Sequence, residues 1–357
     1  MMNLKIQGAV IIIYAIFLSG SMPAQVPEFP YIKGIYGHPP TLLAQGYRYD
    51  SLGVNAIFIR RESLTAKAIQ DARAQQVLVF VEFPLLNGKS YLQDHPEAWP
   101  IDEHGEKSPP ADWFMGICPS HEGFKKYRLQ QLENLLHAYA VDGIWLDYVH
   151  WHAQFETPEP ILPETCFCPR CVAAFKSYSQ LDLPDSSTAQ TAQYILNHAE
   201  PAWRKWRSQV ILDWVLTIKS AVKAYNPDIA LGVFHCGWLA EDHHGALYKY
   251  LGLDLVELAQ VVDGLSPMLF HCLKGRPVDW VGTYMQWIKT HLADQKGTYI
   301  WPIVQAHNQP DMVTAEEFEQ AMRLGMQAPA TGIMMFSDQT LIREKTKVDV
   351  VRRLYRK

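Results

Sequence analysis

From residue 31 onward the chain alternates between short apolar runs and longer stretches whose apolar residues recur at helical spacing. Eight such runs can be read, at 31–36, 55–59, 77–83, 143–149, 230–234, 264–270, 298–304 and 332–336. Each is short and rich in branched or aromatic residues, as in strands buried on both faces. Between them, Phe124, Tyr127, Leu132, Leu135 and Leu136 fall on one helical stripe, with Ser120 placed to cap it. Trp203, Trp206, Val210, Trp214, Ile218 and Val222 form a second stripe, in a helix that opens near Pro201 and stops before Asn226-Pro227. Further helical stretches are expected at 253–261, 280–292, 315–324 and 342–355. Regular alternation of strand and helix implies parallel pairing, and eight units of it predict an α/β fold of the (β/α)₈ TIM barrel type.

Two connections exceed the usual two to six residues, at 84–119 after strand three and 151–197 after strand four. Both leave the C-terminal end of a strand, where long loops build a cleft. At the N-terminus, Lys5 precedes an apolar run over 9–18 and a small-residue patch, the layout of a signal peptide covering 1–24 and cut between Ser21 and Ala24. The run is too short to span a bilayer, and no later segment qualifies. The expectation is a secreted or periplasmic protein, without stable membrane insertion, folded as one barrel over 25–357. A net charge of −5 with interspersed signs argues against a nucleic-acid partner.

The strand ends carry the candidate chemistry. At or just beyond them lie His38, Arg60, Glu82, Asp147, His150, His235, His271, Gln305, His307 and Asp338. Singly each has a structural reading: Arg60 as a partner of Glu62, a histidine as a satisfied core residue, Asp147 as a brace for its loop. Together they describe a polar cleft suited to many hydroxyl groups, and the partner expected is an oligo- or polysaccharide. Cleaving a glycosidic bond takes one ionised and one protonated carboxyl. Asp147 is the expected nucleophile or charge stabiliser. Its partner is sought first in Glu241 and Asp242, on the loop after strand five, and then in Glu82. Tyr148, Trp151 and Trp238 are candidate platforms for sugar rings, Trp238 alternatively packing under its own loop. Two other classes stay open. One is a carbohydrate-binding barrel without turnover. The other is a metal-dependent amidohydrolase-like enzyme, for which His235, His271 and Asp338 sit at suitable strand ends and His150-Trp151-His152 supplies a displaced His-x-His.

Cys166-x-Cys168-x-x-Cys171 lies in the second long loop and Cys118 ends the first. Adjacent strands would bring the loops together, and four thiolates make a closed structural zinc site; disulfide pairing is the alternative in an exported protein. Cys236 and Cys272 are expected as reduced thiols, and no organic cofactor is indicated. The cysteine arrangement resembles that of the zinc-bearing bacterial β-galactosidases of the glycoside hydrolase clan A. That resemblance implies an Asn-Glu pair ending strand four and a Glu ending strand seven. Here the chain reads Leu146-Asp147-Tyr148 and Ile303-Val304-Gln305 instead. The segments Asp142-Gly143-Ile144-Trp145-Leu146-Asp147, 262–268 and 301–305 are similar to a group of glycosidase-like barrels laid out like α-galactosidases, and that resemblance implies Asp147 as nucleophile.

Overall fold

The structure, a computed structural model, describes residues 27–111, 113–295 and 297–356. The leader-like segment 1–24 lies outside the described residues. Parallel strands β1 (Ile32–Gly37), β2 (Ala56–Arg60), β3 (Leu78–Pro84), β4 (Gly143–Asp147), β5 (Ala230–Cys236), β6 (Gly264–Leu269), β7 (Tyr299–Ile300), β8 (Ile303–Gln305) and β9 (Gly332–Phe336) form one sheet. It runs β5-β4-β3-β2-β1-β9-β8-β6-β7 and closes on itself through a β5–β6 pairing. β7 and β8 are two pieces of the seventh barrel strand. Pro302 has no N–H for the ladder and interrupts it, while Trp301 N still donates to Leu265 O at 3.0 Å and Met334 N to Pro302 O at 2.9 Å. The eight-stranded (β/α)₈ barrel expected from the apolar runs is the observed fold.

Side chains alternate across a strand, so every second residue enters the barrel. The middle layer is aromatic: Phe58 stacks on Phe80 at 4.8 Å and Trp145 on Trp301 at 4.8 Å. Trp145 also donates its indole N–H to Ser266 Oγ at 2.9 Å. Room for this ring comes from the neighbouring strands. A Cβ on Gly232 would lie 2.1 Å from Trp145, and one on Gly264 2.8 Å from it. These are close approaches only glycine permits.

Inserts after β3 and β4 are laced together over the barrel mouth. Leu85 N donates to Asp147 O at 2.8 Å, Phe167 N to Ile101 O at 2.8 Å, and Gly116 N to His152 Nδ1 at 3.1 Å. Within the second insert the helices Pro169–Ser179 and Thr188–His198 precede the barrel helix Glu200–Tyr225, so much of 151–197 is helical rather than loop. Glu164 ties it down through a buried bidentate pair with Arg204. The helix Glu122–Ala138 is capped by His121, whose Nδ1 accepts from Phe124 N at 3.0 Å, not by Ser120. An imidazole nitrogen here does what a hydroxyl usually does.

Candidate active site

Two residues beyond the aromatic layer, the same alternation brings Tyr36, Arg60, Glu82, Asp147, Phe234, Met268 and Phe336 into the barrel mouth. They line a cavity of about 410 Å³, with Glu62, Asn87, Trp113, Tyr148, Glu156 and His307 contributed by loops. Its depth follows from sequence: Asp147 is two residues past Trp145, Glu82 two past Phe80, and Arg60 two past Phe58.

Four carboxyls line it, and three of them, Glu82, Asp147 and Glu156, are held above the usual carboxylate range. Glu82 pairs in register with Trp145, while Asp147 pairs with Pro84, so the two sit on adjacent strands, Glu82 one inward position deeper. Burial, then the charges of Asp147 and Glu62, push Glu82 up to about 8, against the pull of Arg60 and Arg61. Burial raises Asp147 to about 6, opposed by the Tyr148 N–H, which it accepts at 2.8 Å, and by Arg60. Burial and Asp147 raise Glu156 to about 7, with Lys274 and Arg60 opposing. Like charges sharing one cavity oppose one another's ionisation. Of these three, Asp147 is pushed up least far, to about 6. Arg60, in register with Glu82, lies over the rings of Tyr36 and Phe336 at 5.8 Å each. Tyr148 takes a left-handed backbone, φ 53°, and stacks on Phe114 at 4.9 Å, closing one wall.

Asp147, Glu82, Arg60, Tyr148 and His307 are thus brought together, His307 being held neutral by burial, which lowers it to about 4. His150 lines only a small adjoining recess and gives Nδ1 to Trp151 O at 2.7 Å. The remaining expected positions lie outside the cavity lining. Asp242 pairs with Arg276 at 2.9 Å and accepts from Leu239 N at 2.9 Å, and Glu241 is outside the lining as well. His235 follows Phe234, so the alternation turns it to the opposite face of the strand, where Nδ1 meets Cys236 O at 3.0 Å. His271 is buried on Glu317 at 3.0 Å. Gln305 spends its amide on Leu273 N and the carbonyls of His307 and Gln309. Asp338 accepts from His38 N at 2.9 Å and binds Thr41, bracing the turn after β1 with His38, whose ring meets Ser63. Trp151 is buried against Arg207 at 4.9 Å, and Trp238 against His243 at 4.5 Å. Neither lines the cavity. The amidohydrolase-like ligand set does not converge: among the described residues the four cysteines are the only group of three or more placed to hold a metal.

Sequence reasoning missed Glu156, Glu62, Tyr36, Asn87 and Trp113. Tyr36 follows from strand alternation. Glu62 carried a weaker signal, as a carboxylate two residues past a strand end, whereas Glu156 lies well inside the second insert.

The thiol sulfurs of Cys118, Cys166, Cys168 and Cys171 lie within 4.8 Å of one another, all buried. Cys118 Sγ is 3.5 Å from both Cys168 Sγ and Cys171 Sγ. Tetrahedral zinc at about 2.3 Å from each sulfur sets the edges at about 3.8 Å, whereas a disulfide needs about 2.05 Å. The backbone N–H of Ile101 points at Cys166 Sγ, 3.3 Å away, as a thiolate favours. The donor set therefore fits zinc. Cys236 and Cys272 are also unbridged.

No protein-family model matches the chain, and no curated protein does. Solved structures do. The PgaB (BpsB) glycoside hydrolase domain from Bordetella bronchiseptica superposes with a TM-score of 0.67 at 14% identity, over 90% of this chain and 98% of that one. A catalytic mutant of Gan42B, a GH42 β-galactosidase from G. stearothermophilus, gives 0.66 at 11%, over 93% of this chain and 57% of that one. An endo-β-1,4-mannanase from Thermotoga petrophila gives 0.55 at 10%, over 93% and 77%. The structural neighbours of this chain are glycoside hydrolase (β/α)₈ barrels, and what it shares with them is the fold.

Proposed function

We propose that this chain is a glycoside hydrolase acting on an oligo- or polysaccharide, with Asp147 as the ionised carboxylate. The observation that carries the reading is the meeting of Asp147, Glu82 and Glu156 in one cavity at the C-terminal end of the barrel, each raised above its ordinary range to a different extent. Groups driven apart in this way divide acid and base roles between them. Asp147, on the barrel rim, attacks the anomeric carbon or stabilises the positive charge that develops there. Glu156, on the loop after β4, holds its proton near neutral pH and gives it to the departing oxygen. Glu82, deeper and protonated, donates to a sugar hydroxyl, and Arg60 keeps the site from accumulating uncompensated negative charge. The glycoside hydrolase barrels among the structural neighbours support the class.

The four cysteine sulfurs would hold one zinc ion, which cross-links the two inserts and takes no part in the reaction. The leader-like segment 1–24 supports export, checked by sequencing the N-terminus of the mature protein.

The test of the roles uses a glycan that the protein cleaves, found on a panel of aryl glycosides and polysaccharides. Glu156→Gln should lose turnover of natural linkages yet keep aryl glycosides whose leaving group needs no proton, and it should remove the alkaline limb of the pH profile. Equal loss on both substrates removes Glu156 as the acid. Sugar binding with no hydrolysis on any glycan returns the protein to a binding barrel.

A further inference from the structure

Beside the catalytic cavity lies a second one of about 380 Å³, between the insert after β3 and the helix Glu122–Ala138. Glu62, Pro84, Asn87 and Trp113 line both, so the two form one continuous cleft. Trp113 is 45% exposed at the junction and Tyr127 is 36% exposed further along. Exposed rings in a polar groove are surfaces for sugar faces.

Charge changes sign along this cleft. Among the described residues, the catalytic end is lined by Glu62, Glu82, Asp147 and Glu156 against Arg60. The continuation is lined, among the described residues, by Arg61, Lys89 and Arg128 together with Glu62. Arg128 is the telling member. It is 4% exposed, and it donates to Leu85 O at 3.1 Å, Asn87 O at 2.5 Å and Gln131 Oε1 at 2.6 Å, all neutral acceptors. Ring faces of Phe124, Tyr127 and Phe83 lie against it, at 4.8, 5.7 and 5.8 Å. No carboxylate within ion-pair distance neutralises it, nor Arg61, among the described residues. A buried cation held by neutral dipoles gains from an anion brought to it.

We propose that this second cavity is a sugar subsite for a unit bearing a carboxylate, a uronic acid residue, within a chain whose neighbouring unit lies over Asp147. The inference rests on the glycoside hydrolase reading and gives it a substrate class, an acidic oligo- or polysaccharide cleaved beside a charged unit. Complementary charge sets the register. A uronate shifted into the catalytic cavity meets the carboxyls there, so only one alignment is favoured.

The experiment is titration calorimetry of the full mature chain with oligosaccharides of three to six units. One series carries galacturonate, mannuronate or glucuronate, and the other is neutral and of matched length. At least one uronate series should bind about tenfold or more tighter than its neutral counterpart and weaken as salt is raised. Arg61→Gln combined with Lys89→Gln should cut that affinity about tenfold while changing neutral binding less than about twofold. Tyr127→Ala should weaken both series. Neutral chains binding as tightly as every uronate series, no binding by any uronate, or a double variant that keeps its uronate affinity each overturns the proposal. Because binding is read without turnover, the two readings fail separately. Uronate binding lost in the double variant with no hydrolysis sinks the hydrolase and keeps the subsite; hydrolysis of neutral chains with no uronate preference does the reverse.

Discussion

Replacing Glu82 by Gln should stabilise the fold near neutral pH and leave it almost unchanged in acid. Glu82 is 5% exposed, and burial, then Asp147 and Glu62, lift it from its ordinary 4.5 to about 8. Because the folded value lies above the unfolded one, the carboxyl's contribution is fully present below about 4.5 and is lost as pH rises through about 8. In between, the unfolded chain has released a proton that the folded chain still holds, and stability falls with pH. At about 1.36 kcal/mol per pH unit, the interval from 4.5 to pH 7 corresponds to about 3 kcal/mol. Gln keeps the shape and never titrates. Allowing for its altered bonding beside Arg60, the gain should be about 1–3 kcal/mol at pH 7 and close to zero at about pH 5. Urea denaturation of both proteins, followed by circular dichroism near pH 5, 7 and 8, measures it. A difference that stays constant across that range, or a variant less stable at pH 8, would show that burial of Glu82 is not what raises it. If the gain appears, a functional carboxyl is being kept at a cost to the fold.

Other perturbations test other parts of the structure. Gly232→Ala places a methyl 2.1 Å from Trp145, whose ring is backed by Trp301 at 4.8 Å; it should cost about 2–3 kcal/mol by denaturation, recovered in part by Trp145→Phe. Glu164→Gln leaves Arg207 buried with no carboxylate beside it among the described residues and Arg204 with Glu200 alone, at 3.2 Å, and a loss of about 3–5 kcal/mol, with faster proteolysis of the second insert, is expected. Cys168→Ser should abolish bound zinc by elemental analysis and lower the melting temperature, and a chelator should then lower it no further, whereas the parent should lose the same increment on chelation.

The barrel was legible because its strands are buried on both faces and read as separate apolar runs, even where Pro302 splits one of them. The cysteine cluster was legible from spacing alone. For the site, position at a strand end was only half of the information needed. Asp147, Glu82 and Arg60 have the inward parity of Trp145, Phe80 and Phe58, whereas His235 has the opposite parity and faces away from the cavity. Counting in twos from the aromatic layer would have separated them and found Tyr36. Asp242 and Asp338 each open a short helical turn and His271 stands in the turn after β6, and their side chains bond to groups packed beside them. Glu156 and Trp113 belong to inserts whose paths are set by contacts between the two long connections, as where Phe167 N meets Ile101 O. Local pattern carries no record of such contacts.

The most direct test of the central claim compares the parent protein with Asp147→Asn on the glycan the parent cleaves, counting reducing ends released and measuring binding of the same glycan by calorimetry. Loss of the negative charge with the shape retained should lower turnover by about 10³-fold or more and change the Kd by less than about threefold. Turnover by Asp147→Asn within about tenfold of the parent would contradict the account, because the bond would then be broken without the carboxylate around which the cavity is built.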